Sequence, residues 1–128
     1  MSRPAKIWKA APVAGNFLAA ENFLLLIAPR ARVTRLVAAL RRAKTVEHSA
    51  KDLLRASRLP LLPRDEAHVK ADLKRIHKGK ALSPVLVIQG DLSHDAPLVV
   101  ADGYHRICAV CYYDEDAPIA CRRIPAAR

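Results

Sequence analysis

The stretch Leu98–Val110, LVVADGYHRICAV, changes its periodicity in the middle. Leu98-Val99-Val100-Ala101 is a short apolar run of the kind that forms a buried strand. It stops at Asp102-Gly103. Ile107, Val110 and Cys111 then recur at i, i+3 and i+4, the spacing of one helix face. The order is strand, tight turn, helix, with Asp102, Gly103, Tyr104, His105 and Arg106 at the junction. The first turn of a helix carries unpaired N–H groups and a partial positive charge. Gly103 lets an anion approach the backbone, and His105 and Arg106 add donors, Arg in a bidentate fork. These residues suit a phosphate or another oxyanion. A second reading stays open: Gly103 as a plain turn residue, and Arg106 as the partner of Asp102.

Working outward, Pro84–Gln89 is a continuous apolar strand, and Gly90–Pro97 is a polar turn that brings the chain back as a hairpin. Beyond the motif helix, Asp114-Glu115-Asp116 forms an acidic turn and Ile119–Ile124 a last strand. Upstream, Val69, Leu73 and Ile76 mark a helix over 64–78, with Asp65 and Glu66 at its N-terminus and Gly79 as its stop. Leu59-Pro60-Leu61-Leu62-Pro63 is extended, because residues before Pro avoid the helical region. Ser49-x-x-Asp52 has the form of a capping box and starts a short helix to Ser57.

The N-terminal part reads as helical. Asn16 is a candidate N-cap for a strongly apolar helix over Phe17–Ile27 that ends before Pro29. Such a helix is buried in the fold or lies at a homo-oligomer contact. Val33, Leu36, Val37 and Leu40 then mark an amphipathic helix over 32–43, whose other face carries Arg32, Arg35, Arg41 and Arg42. Residues 1–15, with Pro4 and Pro12, read as a flexible arm that Trp8 could anchor. The fold class is α+β: a small mixed β-sheet with packed helices over 45–128, preceded by an N-terminal helical extension over 16–44, in one compact unit.

Three parts of this pattern carry a resemblance. Gly103-Tyr104-His105-Arg106-Ile107-Cys108-Ala109 resembles the GxxRxxA pattern of the ParB N-terminal domain family. Asp102-Gly103-Tyr104-His105-Arg106 resembles the DGxHR signature of ParB-fold kinases and is similar to the Gly-Cys-His-Arg loop of sulfiredoxin. Leu82-Ser83-Pro84-Val85-Leu86-Val87 and Ala117-Pro118-Ile119-Ala120-Cys121 resemble the flanking strands of that superfamily, so the likeness runs in order over about residues 45–124. It implies a ParB/sulfiredoxin-like fold. It also implies a phosphate-binding loop made of Gly103, Tyr104, His105 and Arg106, a nucleotide di- or triphosphate with Mg²⁺ as cofactor, and activity as an NTPase or small-molecule kinase. Asp102 would hold a metal ion or orient the acceptor. ParB-fold kinases carry a catalytic carboxylate in the region matching 47–52, which makes Glu47 and Asp52 candidates and Lys51 and Arg55 secondary phosphate contacts. Each of these four also fits a plain surface role. Tyr104 stands where sulfiredoxin has its catalytic cysteine, which argues against sulfinic-acid reduction. At 128 residues the helix-turn-helix and dimerisation domains of a ParB partition protein are not expected.

Composition sets the alternatives. The 128 residues carry a net charge of +10 and are 52% hydrophobic, which excludes wholesale disorder. Residues 1–60 hold 12 Lys/Arg against 3 Asp/Glu, whereas residues 61–128 hold 10 against 9. That asymmetry suits nucleic acid or an acidic protein partner, or equally a solvated helix face. The alternative function is therefore a non-catalytic ParB-like binding module using the basic N-terminal half. One Trp, three Tyr and two Phe give little for a base-stacking platform. No apolar run reaches the roughly 18 residues of a membrane span, and Glu21-Asn22 breaks any secretory core, so the expected location is cytoplasmic. Cys108-x-x-Cys111, with Cys121 and His105, offers a metal set, but paired zinc cysteines come from tight turns rather than helix interiors, and burial as small hydrophobes is the default reading. His48, His68, His77 and His94 have no partner at ligand spacing in the sequence.

Overall fold

The computed structural model describes residues 7–126. Five helices and four strands follow in the order α1 (Ala14–Leu24), α2 (Arg30–Arg42), β1 (Thr45–Ser49), α3 (Ala50–Ser57), α4 (Ala67–His77), β2 (Val85–Ile88), β3 (Val99–Asp102), α5 (Tyr104–Tyr113) and β4 (Pro118–Ile124). The sheet order is β1-β4-β2-β3. β4 runs antiparallel to β1 and parallel to β2, and β3 returns antiparallel to β2 as the expected hairpin. This is the α+β class, a small mixed sheet with packed helices. Among the described residues no helix is long and apolar enough to cross a membrane.

β2 is central, and its four residues are all buried. Successive side chains of a strand point to opposite faces. Val85 and Val87 meet Leu53, Val69, Leu73, Ile76, Ile107 and Val110 from α3, α4 and α5. Leu86 and Ile88 meet Phe17, Leu24, Val33, Leu36 and Leu40 from α1 and α2. A strand covered on both faces has to be a continuous apolar run, as 85–88 is. The segment read as an N-terminal extension is thus one of the two helical layers. Arg122 of β4 ties that layer down by donating to the Leu40 and Arg41 carbonyls at the C-terminus of α2.

Several boundaries differ from the sequence reading. α1 starts at Ala14 rather than Phe17, and Asn16 is not its N-cap: Asn16 lies inside the first turn and its Oδ1 accepts the Val13 N–H at 2.8 Å. α1 ends at Leu24 rather than Ile27, and only one stripe of it is buried, Phe17, Ala20 and Leu24, while Leu18, Phe23 and, beyond its end, Leu26 are exposed. α4 starts at Ala67 because the Glu66 carboxylate caps it, accepting from the His68 and Val69 N–H groups. β1, over Thr45–Ser49, is a strand beyond those that the sequence pattern predicts. Of the arm over 1–15, residues 1–6 lie outside the described residues. Trp8 is docked: Nε1 donates to the Pro118 carbonyl at 3.0 Å, and the backbone bridges to Leu82.

Candidate functional site

The junction between β3 and α5 forms as the sequence implies. Gly103 caps α5 with φ at +115°, a left-handed conformation that L side chains rarely adopt. A Cβ on Gly103 would come within 2.4 Å of Val85 Cγ1, so glycine is required here by packing as well as by torsion. No side chain caps the helix. Its first-turn N–H groups, on Tyr104, His105 and Arg106, have no carbonyl a turn back to accept them.

Arg106 turns away from these donors. Its Nη2 lies 3.0 Å from Asp102 Oδ2 and 3.3 Å from the Pro84 carbonyl, and both side chains are only 16% exposed. The Arg106 Nε is buried with no hydrogen-bond partner among the described residues. Of the two readings left open for Arg106, the geometry has it braced against Asp102. Tyr104 is tied across to the 59–63 linker, its hydroxyl donating to the Pro60 carbonyl at 2.6 Å. Burial raises its phenol above the ordinary value, with Cys108 adding to the effect.

A cavity of about 480 Å³ opens over this junction. Its walls are apolar, from Ala19 and Phe23 of α1, Ile27 just beyond its end, Leu59, and the length of β3 at one edge of the sheet. Its polar end is Asp102, Gly103, Tyr104 and His105. A mostly apolar pocket of a few hundred Å³ with a few convergent polar groups is the usual form of a small-molecule site.

The other candidates lie elsewhere. Glu47 is exposed on β1, the opposite edge of the sheet from β3. Three strand spacings separate those edges, about 14 Å. Lys51 Nζ pairs with Asp116 at 2.7 Å, and its N–H reaches the Glu115 carbonyl. That places Lys51 beyond the C-terminus of α5, a helix of 10 residues and therefore about 15 Å long. The Asp116 hydrogen bond and charge raise the Lys51 pKa. Asp52 pairs with Arg55 at 3.3 Å and faces a separate cavity of about 220 Å³ that includes His48 and Arg123. The structure thus gathers Asp102, Gly103, Tyr104 and His105 around one cavity, with Arg106 beneath, and leaves Glu47, Asp52, Lys51 and Arg55 away from it.

All three cysteines are free thiols. Cys108 and Cys121 are buried, and burial raises all three thiols, Cys121 to about 11. His105 instead meets Glu66, expected only as a helix N-terminal charge, and His68, which has no partner at ligand spacing in the sequence but gains two in the fold. Its Nε2 lies 3.7 Å from Glu66 Oε1, and its ring centroid is 4.6 Å from that of His68. His68 Nδ1 in turn lies 3.1 Å from Glu66 Oε2. The Val69 N–H and the His68 side chain hold the Glu66 carboxyl below its ordinary value. The local signal was Glu66-x-His68 at a helix start; that α4 and α5 begin side by side is a tertiary fact.

No family model matches the chain, and neither does any curated protein or any solved structure.

Proposed function

We propose that the chain binds a nucleotide, with its phosphates on the Asp102-Gly103-Tyr104-His105-Arg106 loop. The observation that carries this reading is the uncapped N-terminus of α5 at the polar end of a cavity of about 480 Å³. The N–H groups of Tyr104, His105 and Arg106 are the donors for phosphate oxygens, and the helix terminus favours negative charge. His105 adds a side-chain donor at the rim. Arg106 supplies positive charge beneath the loop and holds Asp102 in place. The apolar wall from α1 suits the base. Asp102 is the one carboxylate among the lining residues, which fits Mg²⁺ bound through a single carboxylate and the phosphates themselves. The resemblance of the loop to ParB-fold kinases and sulfiredoxin supports the same ligand class, and with it an NTPase or small-molecule kinase.

The test is calorimetry and thermal shift with ATP, ADP, CTP and GTP, with and without Mg²⁺. Ala19 is exposed on the cavity wall, so Ala19→Trp fills the space without entering the core. A ligand that binds only the folded chain raises its stability. One nucleotide should raise the melting temperature of the wild type and leave Ala19→Trp unmoved. No shift with any nucleotide, or equal shifts in both proteins, overturns the reading.

A second reading has its own observation. Arg32, Arg35, Arg41 and Arg42 of α2 are all exposed, a basic face suited to nucleic acid or an acidic protein. Polynucleotide binding that collapses between low and moderate salt would favour it. A homo-oligomer through the Phe17–Ile27 segment belongs to the proposal as well: Leu26 and Ile27 are 83% and 59% exposed. Light scattering of the wild type and Leu26→Glu checks it.

A further inference from the structure

We infer that Glu66, His68 and His105 form a binding site for a divalent late transition metal, of which zinc is the type. The three offer ligand atoms that all lie within 4.8 Å of one another. In a tetrahedral zinc site with bonds of about 2.0–2.1 Å, neighbouring ligand atoms stand about 3.4 Å apart. The separations to the Glu66 carboxylate, 3.1 Å from His68 Nδ1 to Oε2 and 3.7 Å from His105 Nε2 to Oε1, lie on either side of that value. Small side-chain rotations would bring all three atoms onto one ion.

The site is held by the fold. Glu66 caps α4, its Oε1 accepting the His68 and Val69 N–H groups at 2.9 and 3.0 Å. That fixes the carboxylate before any metal arrives and leaves Oε2 facing His68. Hydrogen bonds of this kind to a ligating carboxylate orient it and support affinity. His68 lies in the first turn of α4 and His105 in the first turn of α5. The packing of those two helices brings both imidazoles to the same carboxylate.

The donor set selects the metal. Two imidazoles and one carboxylate suit zinc and its neighbours, whereas Mg²⁺ and Ca²⁺ prefer all-oxygen shells. Three protein ligands leave a fourth position, the pattern of zinc sites that bind water or a substrate group. His68 is 72% exposed, so that position is open to solvent. His105 also lines the cavity at the β3–α5 junction, which puts the metal beside it. The inference does not depend on nucleotide binding there.

The experiment is calorimetric titration of the chelator-stripped full chain with Zn²⁺ alone, paired with the visible absorption spectrum of the Co²⁺ form. Variants are His68→Ala, His105→Ala and Glu66→Gln, the last retaining an acceptor for the α4 cap. His77→Ala and His94→Ala are controls, since both residues are exposed and lie outside the group of Glu66, His68 and His105. The expected result is one Zn²⁺ per chain, with a tetrahedral Co²⁺ spectrum. Loss of an outer-shell contact typically weakens metal binding about 10–100-fold, so each ligand variant should weaken it at least about tenfold, and the controls should not. Circular dichroism of His68→Ala should match the wild type. No stoichiometric Zn²⁺ binding, or equal binding in wild type and the His68→Ala/His105→Ala double variant, overturns the assignment. So does equal weakening in the controls.

Discussion

Arg106 Nη2 lies 3.0 Å from Asp102 Oδ2, one helical turn apart across the start of α5, with both side chains largely buried. The pair has a consequence for mutagenesis. From sequence alone, Arg106→Ala is the natural test of phosphate binding, expected to leave the fold intact. In the structure it strands the Asp102 carboxylate. Breaking one partner of a buried pair costs about 3–5 kcal/mol, and partial exposure reduces that to about 2–3. Arg106→Ala should lose that much in urea unfolding, and the Asp102→Asn/Arg106→Ala double variant should recover part of it. Additive losses would show that the two residues act independently.

Gly103→Ala should be destabilised by at least about 2 kcal/mol, from two sources. The φ of +115° strains an L residue, and the new Cβ would meet Val85 Cγ1 at 2.4 Å. Val85→Ala relieves only the second. The double variant should therefore be more stable than the sum of the single losses predicts, because contacting residues couple. Strict additivity in thermal unfolding would locate the whole cost in the backbone.

What could be read from the sequence was what is local. β2 was legible because a strand buried on both faces needs four apolar residues in a row, and Val85–Ile88 has them. The Ser49 cap was legible because the hydroxyl and the Asp52 N–H it meets lie in one turn. The Asp102–Arg106 loop was legible because strand, glycine and helix are contiguous. β1 was not, because Thr45-Val46-Glu47-His48-Ser49 is an edge strand with little apolar content and takes its form from pairing with β4. The spacing puts Phe17, Ala20, Phe23, Leu24 and Ile27 on one apolar helix face, and Phe17, Ala20 and Leu24 are buried, but the run is so apolar that nothing in it says Phe23 and Ile27 stay exposed or that α1 stops at Leu24. The Glu66–His105 contact was hidden because it depends on how α4 packs on α5.

The cysteines give an alkaline limb to stability. Cys121 is fully buried and its pKa is raised to about 11 by burial. Its unfolded value is about 8.5. Below the unfolded value both states keep the proton and stability is unaffected. Between the two values the unfolded chain releases a proton that the folded chain keeps, so stability falls with rising pH, and the loss is complete above about 11. The total is on the order of 3 kcal/mol. Cys121→Ala should flatten this limb between pH 8.5 and 11 in denaturant titrations, whatever its cost at neutral pH. In the native wild type at pH 8, Cys108 and Cys121 should resist alkylation, with the partly exposed Cys111 reacting first. Rapid labelling of Cys121 would contradict its burial.

Trp8 tests how the N-terminal segment is held. The residue is 8% exposed, its Nε1 donates to the Pro118 carbonyl, and the Lys9 N–H and Ile7 carbonyl both pair with Leu82. These contacts fasten the chain ahead of α1 to the start of β4 and to the approach to β2. Large aromatic truncations in a core cost about 3–5 kcal/mol, so Trp8→Ala should lose about 3 kcal/mol. Trp8→Phe keeps most of the packing and gives up one hydrogen bond, about 1 kcal/mol. It is the one tryptophan in the chain, so its emission reports this contact alone. In urea that emission should shift together with the far-ultraviolet circular dichroism if the segment belongs to the cooperative unit. A red shift preceding the loss of helix would instead make the segment a separately opening flap, and Trp8→Ala would then cost little.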